Sequence, residues 1–389
     1  MHRMTFVLVL LALVGLVPAA YAHPSAVGKT TFHDGVDKKC TLADGNAAPF
    51  AAPSPKHPWG TVITGCFRAT KPDYKTVAVV REWDLFHGRA VREATFPADN
   101  GADSLRVAVA GGRILMVVSA AMNITIDHVM LHLLDKNLAL VKQWDLGVGG
   151  YADIDAEGKL GAVIVDGWNN SIVDIRGEAL ELYTVDMARG RLDGKRIFRY
   201  KKAGWPLLYH AAGSVRVRQG KVFVVYTEAS RTKAYRMSKD LRITGGYVRA
   251  YKDSMHSTAE AFMALGVHRV LIEYGDRVDV LRPYLQLDRR LAAPRATGHV
   301  GFARWAIDRA TGRVATENGR VAARMGAPFK RCVDFTHELV FRGAKIGIYA
   351  DRSTAALWAF GHVVIVRSAP GLGILAFDPG SPASPRHEK

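Results

Sequence analysis

Histidine recurs at one position of this sequence, just before a short run rich in apolar residues. The histidines are His57, His210, His256 and His299, and two similar runs follow Asn100 and Asp351 instead. Histidine is a common metal ligand and the only side chain whose unperturbed pKa lies near neutral pH. If the runs are strands that lie side by side, these six polar side chains ring one ligand site.

Metal binding and acid–base catalysis are the chemistries open to such a ring. Zn, Cu and Fe suit imidazole ligands, and the sequence predicts His210, His256 and His299 as ligands of such a metal. A polar ring without a metal is one alternative. Another is that the pattern forms no site, because polar residues are common at the ends of loops. The sequence contains no GxSxG, no HExxH, no phosphate-binding glycine loop and no paired-cysteine metal motif.

Two further candidates lie in segments between the runs. Trp168, within the long insertion 166–178, offers a ring that could stack on a sugar or a peptide. Arg231 adds positive charge and favours an anionic ligand. Both are predicted to contact the ligand on the same face as the histidines.

One acidic segment has the alternation of a calcium-loop start. Its carboxylates belong to Asp153, Asp155 and Glu157. The distal carboxylate of such a loop is missing, because residue 164 is isoleucine. An ordinary acidic hairpin is therefore the favoured interpretation.

A periodic series of aspartates shows which elements position these residues. Each aspartate follows one apolar strand and usually precedes another, and successive aspartates are 44 to 54 residues apart. The series is Asp84, Asp135, Asp186, Asp240, Asp288, Asp334 and Asp378. Aspartate suits such turns because its side chain caps the turn backbone.

A second series of turns alternates with the first. These turns, as in VAVAGGRILMVVS and VRVRQGKVFVVY, join strands rich in β-branched residues and carry glycine where a turn needs a positive φ. The alternation gives four strands per unit of about 48 residues, and no segment has the periodicity of an amphipathic helix. Four-stranded units repeated about seven times are typical of a β-propeller.

At the level of the fold, the pattern resembles secreted bacterial β-propeller repeat proteins. The resemblance implies an all-β fold of seven four-stranded blades, with six blades as the alternative. Residues 27–34 are expected to supply the last outer strand and close the ring, which removes open sheet edges. Trp83 and Asp84 stand where WD-repeat proteins have their dipeptide, but no GH partner accompanies them. The resemblance therefore identifies no functional residues.

The first 22 residues have the pattern of a secretory signal peptide, with Arg3, an apolar run and a small-residue exit at Ala22. We expect cleavage after Ala22, one propeller domain over 23–380, a disordered tail over 381–389, and a secreted or periplasmic protein. No later apolar stretch approaches the roughly 18 residues that span a bilayer, so no transmembrane segment is predicted.

The chain contains three cysteines, too few for a fold built on disulfides, so its core must be hydrophobic. Cys40 and Cys66 lie close in sequence and form the predicted disulfide. Such a bridge stabilises a fold by about 3 kcal/mol in the chain-entropy model. Cys332 is then left over.

Charge narrows the class of partner. The formal charge is +17, or +16 without Arg3, which favours acidic partners. The basic residues are scattered and no nucleic-acid-binding motif occurs, so no specific nucleic-acid binding is predicted. We therefore expect a monomeric binding module for a protein or polysaccharide ligand of anionic character. The alternative is a hydrolase or lyase that uses the histidines at the mouth of the central channel.

Overall fold

The chain forms antiparallel β-strands and, in its described part, no helix. The computed structural model describes residues 31–37, 40–41, 47–70, 75–98, 104–119, 128–149, 152–166, 179–199, 213–228, 231–250, 262–265, 270–274, 277–292, 305–307, 314–316, 320–322, 332–334, 338–341, 344–347, 354–367 and 372–377. Within these ranges, no helix has the length and apolar character needed to cross a membrane.

The first half of the strands, in chain order, is as follows. These are β1 (Thr31–Asp37), β2 (Cys40–Thr41), β3 (Ala47–Pro49), β4 (Thr61–Thr70), β5 (Lys75–Asp84), β6 (Arg89–Pro97), β7 (Ser104–Ala110), β8 (Arg113–Ser119), β9 (His128–Leu134), β10 (Leu140–Val148), β11 (Ala152–Glu157), β12 (Leu160–Asp166), β13 (Ala179–Asp186), β14 (Arg191–Arg199), β15 (Gly213–Arg218) and β16 (Lys221–Glu228).

The second half continues in the same way. These are β17 (Arg231–Ser238), β18 (Ile243–Ala250), β19 (Phe262–Leu265), β20 (Val270–Tyr274), β21 (Arg277–Leu281), β22 (Leu287–Ala292), β23 (Trp305–Ile307), β24 (Val314–Thr316), β25 (Arg320–Ala322), β26 (Cys332–Asp334), β27 (Glu338–Phe341), β28 (Ala344–Gly347), β29 (Thr354–Ala359), β30 (His362–Arg367) and β31 (Leu372–Phe377).

Consecutive strands pair into sheets of four. Strands β7 to β10, β11 to β14, β15 to β18, β19 to β22 and β23 to β26 each form one four-stranded sheet in chain order. We number these the second to the sixth sheet. Strands β27 and β28 pair with each other. The predicted all-β fold with antiparallel sheets of four strands is confirmed.

The first and the last sheet depart from this regular order. In the first sheet β4, β5 and β6 are consecutive, and both β2 and β3 pair with the other edge of β4. The last sheet contains β29, β30 and β31, followed at its edge by β1. Thr31 of β1 lies opposite Ala376 of β31. The strand expected from residues 27–34 is therefore found over Thr31–Asp37.

Apolar side chains fill the space between neighbouring sheets. One core combines side chains of the first, second and last sheets, such as Ile63, Leu105 and Val364. Further cores join the second sheet to the third, the third to the fourth, and the fourth to the fifth. Packing is close: a Cβ added at Gly65 would lie 1.8 Å from Cδ2 of Leu105. Glycine at this position therefore lets the first and second sheets approach each other.

One strand at the edge of each sheet contacts its counterpart in the next sheet. Strand β3 contacts β7, and the series continues through β11, β15, β19 and β23 to β29, which in turn contacts β3. We call these the inner strands. Their contacts bring these strands together in one region of the molecule.

A buried histidine lies in the second sheet, on β9. The side chain of His132 is 2% exposed, and its Nδ1 has no hydrogen-bond partner among the described residues. Its ring lies 5.7 Å from that of Phe96 in the first sheet. Burial lowers the pKa of His132 to about 4, because the charged form loses its hydration.

The aspartate turns have the predicted self-capping in three sheets. Oδ1 of Asp84, Asp135 and Asp186 each accepts two backbone N–H groups of its own turn, at 2.7 to 3.1 Å. In the fourth sheet Ser238 takes this role instead of Asp240, and its Oγ accepts the N–H of Arg242 at 3.2 Å. Serine and aspartate both cap turns, so the sequence alone did not show which residue occupies the position.

The two cysteines of the predicted disulfide lie on paired strands. Strand β2 pairs with β4 so that Cys40 is opposite Arg68, two residues along β4 from Cys66. Cys66 is buried, at 1% exposure. The register brings the two residues onto neighbouring strands, and the bond between them stays a prediction.

Candidate functional site

Each sheet has two ends, which differ in the residues they carry. We call the end where inner strands such as β7 and β11 begin the loop end. The turn end is the opposite end, where Asp84, Asp135 and Asp186 cap their turns. The sequence predicts the polar ring at the loop end, before the inner strands.

His57 lies at the turn end instead. Thr61 of β4 is opposite Asp84, just as Leu160 of β12 is opposite Asp186, so β4 is the second strand of its sheet. The first strand is β3, which is only three residues long and ends in proline. The prediction that His57 precedes a first strand is therefore wrong. Strand β3 is so short that its residues show no alternation, so the sequence did not reveal it as the first strand.

Most of the other predicted site residues lie outside the described ranges. These are Asn100, Trp168, His210, His256, His299 and Asp351. Their roles, including the metal site of His210, His256 and His299, stay predictions. Arg231 is described: it begins β17 at the loop end and is exposed.

A buried carboxylate binds two histidines at the turn end of the first sheet. The Asp84 side chain is 0% exposed, that of His57 is 14% exposed and that of His87 is 41% exposed. Oδ2 of Asp84 lies 2.7 Å from Nδ1 of His57 and 2.7 Å from Nδ1 of His87. We call these three residues the Asp84 centre. It is built from the loop before β4 and the turn between β5 and β6.

The charge state of Asp84 determines which nitrogen of each imidazole carries a proton. Burial raises the pKa of Asp84, but hydrogen bonds from His57 and His87 and from the turn backbone outweigh it, so the pKa is lowered. An ionised carboxylate only accepts hydrogen bonds, so Nδ1 of both histidines must donate. In the neutral ring Nε2 is then unprotonated and can act as an acceptor or a base.

The described residues include no group of three or more His, Cys, Asp or Glu side chains that could hold a metal ion. The Asp84 centre lies in the described part of the chain, and its histidines can form hydrogen bonds and accept protons.

Aromatic rings connect the Asp84 centre to the last sheet. The indole of Trp59 stacks on the imidazole of His362, with centroids 4.3 Å apart and planes at 25°. Phe86 meets Trp59 edge-on at 5.7 Å and His87 edge-on at 5.1 Å. Such edge-on and stacked pairs are the favoured aromatic geometries, so the four rings form one cluster across two sheets.

The loop before β4 and the turn between β29 and β30 approach each other closely, and this approach depends on Gly60. This residue has a φ of +77°, and a Cβ there would lie 2.6 Å from the ring of Phe360. A side chain at this position would therefore be strained and would also clash. The carbonyl of Phe360 accepts a hydrogen bond from Nδ1 of His362 at 3.1 Å, which fixes that ring on the partner turn.

At the inner strands, alternate acidic residues of β11 bind the backbone of β15. The bonds run from the N–H groups of Val215, Val217 and Gln219 to the carboxylates of Asp153, Asp155 and Glu157, in that order. Both strands repeat every two residues, so alternate side chains match alternate N–H groups. The three carboxylates therefore join the third sheet to the fourth.

Asp153 also binds two guanidinium groups. Its carboxylate lies 2.7 Å from Nη1 of Arg216 on β15 and 3.7 Å from Nη1 of Arg106 on β7. Burial raises the pKa of Asp153, but the two arginines and the hydrogen bond from the Val215 N–H together lower it by a larger amount. The pKa is therefore below its usual value. Three consecutive inner strands thus carry one linked group of charges.

Sequence reasoning missed His87 and His362 as candidate residues. A histidine three residues after a capping aspartate, as in DLFH, is the signal that could have indicated His87. His362 belongs to a distant turn, and only the packing of the last sheet against the first brings it to Trp59. No local pattern predicts that contact.

Comparison with known proteins bears on the fold alone. No protein-family model and no curated protein sequence matches the chain. Among solved structures, the Dos1 propeller has a TM-score of 0.50 at 9% identity, covering 92% of this chain and 95% of that one. A chain of a mitotic checkpoint complex has a TM-score of 0.53 at 6% identity, covering 91% and 95%. The β-propeller domain of the Trilobed protease from Pyrococcus furiosus has a TM-score of 0.47 at 9% identity, covering 90% and 99%. The match to the Dos1 propeller shows that the chain is similar in fold to β-propellers.

Proposed function

We propose that this chain is a secreted or periplasmic β-propeller of seven blades that acts as a binding module. Seven inner strands, β3, β7, β11, β15, β19, β23 and β29, contact one another in order, and β29 contacts β3. This order supports seven blades over six. The pairing of β1 with β31 supports closure of the ring by the N-terminal strand, which covers a sheet edge.

The series of contacts between inner strands is the observation that carries the proposed binding function. It brings the starts of the inner strands into one region, so side chains of several sheets can lie around one ligand. The ligand is a protein or polysaccharide of anionic character, which the formal charge of +17 and the exposed Arg231 at the loop end support. The mitotic checkpoint complex, one of the similar structures, is by its name an assembly.

A pair of arginine variants tests the loop-end site. We expect the protein to bind immobilised polygalacturonate, and Arg231→Ser to weaken this binding about two- to threefold, because an exposed charge contributes at most about 1 kcal/mol. Arg189→Ser removes the same charge from an exposed turn at the opposite end and should leave binding unchanged. Surface plasmon resonance at low and at physiological salt measures both effects. Equal losses in the two variants would indicate non-specific attraction to a basic surface and contradict the loop-end site.

A hydrolase or lyase is the second candidate, and the Asp84 centre is the observation that favours it. A carboxylate that holds Nδ1 of an imidazole, leaving Nε2 as a base, is the arrangement found in acid–base catalysis. This centre lies at the turn end, away from the predicted channel-mouth histidines.

Elemental analysis of the purified protein separates the two candidates further. If His210, His256 and His299 hold Zn, Cu or Fe, the metal should be stoichiometric and lost in the His210→Ala and His256→Ala variants. His128→Ala, which removes an exposed histidine bound to Asp145, should retain it. If the protein contains no metal and all these variants bind polygalacturonate equally well, only the binding module remains as a candidate.

A further inference from the structure

We propose that the turn end of the first and last sheets is a second binding site, specific for neutral sugar units, formed by Trp59, Phe86 and the Asp84 centre. The site goes beyond the proposed function, because it lies at the opposite end of the sheets from Arg231 and takes an uncharged ligand.

The two histidines of this surface present hydrogen-bond acceptors. Asp84 Oδ2 takes the Nδ1–H of His57 and of His87, each at 2.7 Å, so the neutral rings present Nε2 as an acceptor. The His87 side chain is 41% exposed, which leaves it accessible to a ligand. Sugar hydroxyl groups are donors that match such acceptors.

The apolar part of the surface consists of aromatic rings. Trp59 and Phe86 are partly exposed, and Phe86 meets Trp59 at 5.7 Å and His87 at 5.1 Å. A ligand that fits must combine an apolar face with several hydroxyl groups, because rings and acceptors alternate over a short distance. A pyranose ring has this combination, with C–H groups on its faces and hydroxyls at its rim.

Charge disfavours ions as ligands of this surface. The pKa of Asp84 is lowered, so the centre carries a buried negative charge at neutral pH, which repels anions. The chain as a whole has a formal charge of +17, which repels cations at longer range. A neutral ligand is opposed by neither.

The surface is held in place before any ligand binds. Asp84 fixes both histidines and its own turn, and the stacking of Trp59 on His362 fixes the indole against the last sheet. Side chains that are already ordered lose little entropy on binding, so even a small surface can retain useful affinity.

Calorimetric titration of the full chain at pH 7.5 with maltohexaose, cellohexaose and N-acetylglucosamine hexamer tests the site. We expect at least one of these neutral oligosaccharides to bind, and Trp59→Ala and His87→Ala each to weaken its binding at least tenfold. The matched control is His128→Ala, which removes a histidine whose Nδ1 is likewise bound by a carboxylate, Asp145, at 2.6 Å but at the loop end. The oligosaccharide should bind the His128→Ala variant as tightly as it binds the parent protein. Thermal unfolding of each variant checks that the variant is folded.

Three outcomes would overturn this site. One is that none of the three oligosaccharides binds the parent protein, and a second is that His87→Ala binds as tightly as the parent. The third is that dextran sulfate binds in their place in a His87-dependent manner, which would make the ligand an anion. A sugar that depends on Arg231 and not on His87 would belong to the loop end, so it would support the proposed function and contradict this one. If Trp59→Ala does not fold, His87→Ala and Phe86→Leu decide the question.

Discussion

Replacing Asp84 with alanine is expected to lower the free energy of unfolding by about 3 kcal/mol. The substitution leaves four donors without their acceptor: the backbone N–H groups of Phe86 and His87, and the Nδ1–H groups of His57 and His87. Because Asp84 is fully buried, water cannot replace the lost carboxylate without a rearrangement of the turn. The cost is therefore near the upper end for the loss of a single polar side chain.

Asp186→Ala is the matched comparison. Asp186 caps the equivalent turn of the third sheet through two backbone N–H groups, but no histidine hydrogen bond to it occurs within the described ranges, and its side chain is 19% exposed. We expect a smaller loss than for Asp84→Ala, because water can replace part of a hydrated cap. Urea-induced unfolding of both variants measures the difference, which reports the contribution of the two histidines. Equal losses would show that the histidines add nothing to the stability of the turn.

Acidification should destabilise the fold through His132 before the carboxylates titrate. The pKa of His132 is about 4 in the fold against 6.5 for an exposed histidine, so the unfolded chain binds the proton more readily. The stability is fully present above pH 6.5 and falls as the pH decreases toward 4, by about 3 kcal/mol at pH 4. The pKa of Asp84 is lowered from 3.8, so its contribution is lost only below this window.

Unfolding by urea at pH 7, 5.5 and 4 tests this prediction with two variants. His132→Leu replaces the imidazole by an apolar side chain of similar size and should remove about 3 kcal/mol of the pH dependence. His128→Gln replaces a half-exposed histidine and should leave the dependence as it is in the parent. A parent and a His132→Leu variant with the same slope between pH 6.5 and 4 would contradict a buried, neutral His132.

The repeating part of the fold could be predicted from the sequence because each turn carries its own local signal. The aspartates that cap the turns before β6, β10 and β14 were identified by spacing alone, and so were the four strands between them. The first sheet was less predictable, since β3 has three residues and no alternation. Because β3 was not recognised in the sequence, His57 was predicted at the wrong end of the sheet.

The candidate site could be predicted only in part, for a related reason. His57 was identified as a candidate, but its partner Asp84 is 27 residues away. The neighbouring Trp59 stacks on His362, which lies in the last sheet. Contacts between turns depend on how sheets stack, which no local periodicity encodes. The carboxylates of β11 show the same limit, because their partners are N–H groups 62 residues away.

The pairing of β1 with β31 has a consequence for the time course of folding. Thr31 and Ala376 are 345 positions apart, whereas Asp153 and Val215, which join two adjacent sheets, are 62 apart. Loop closure over the longer span costs about 1.5 kcal/mol more in chain entropy, and such distant contacts form slowly. Sheets such as the second and third can therefore form early, while the joining of the two ends must wait and is expected to be the slowest step of folding.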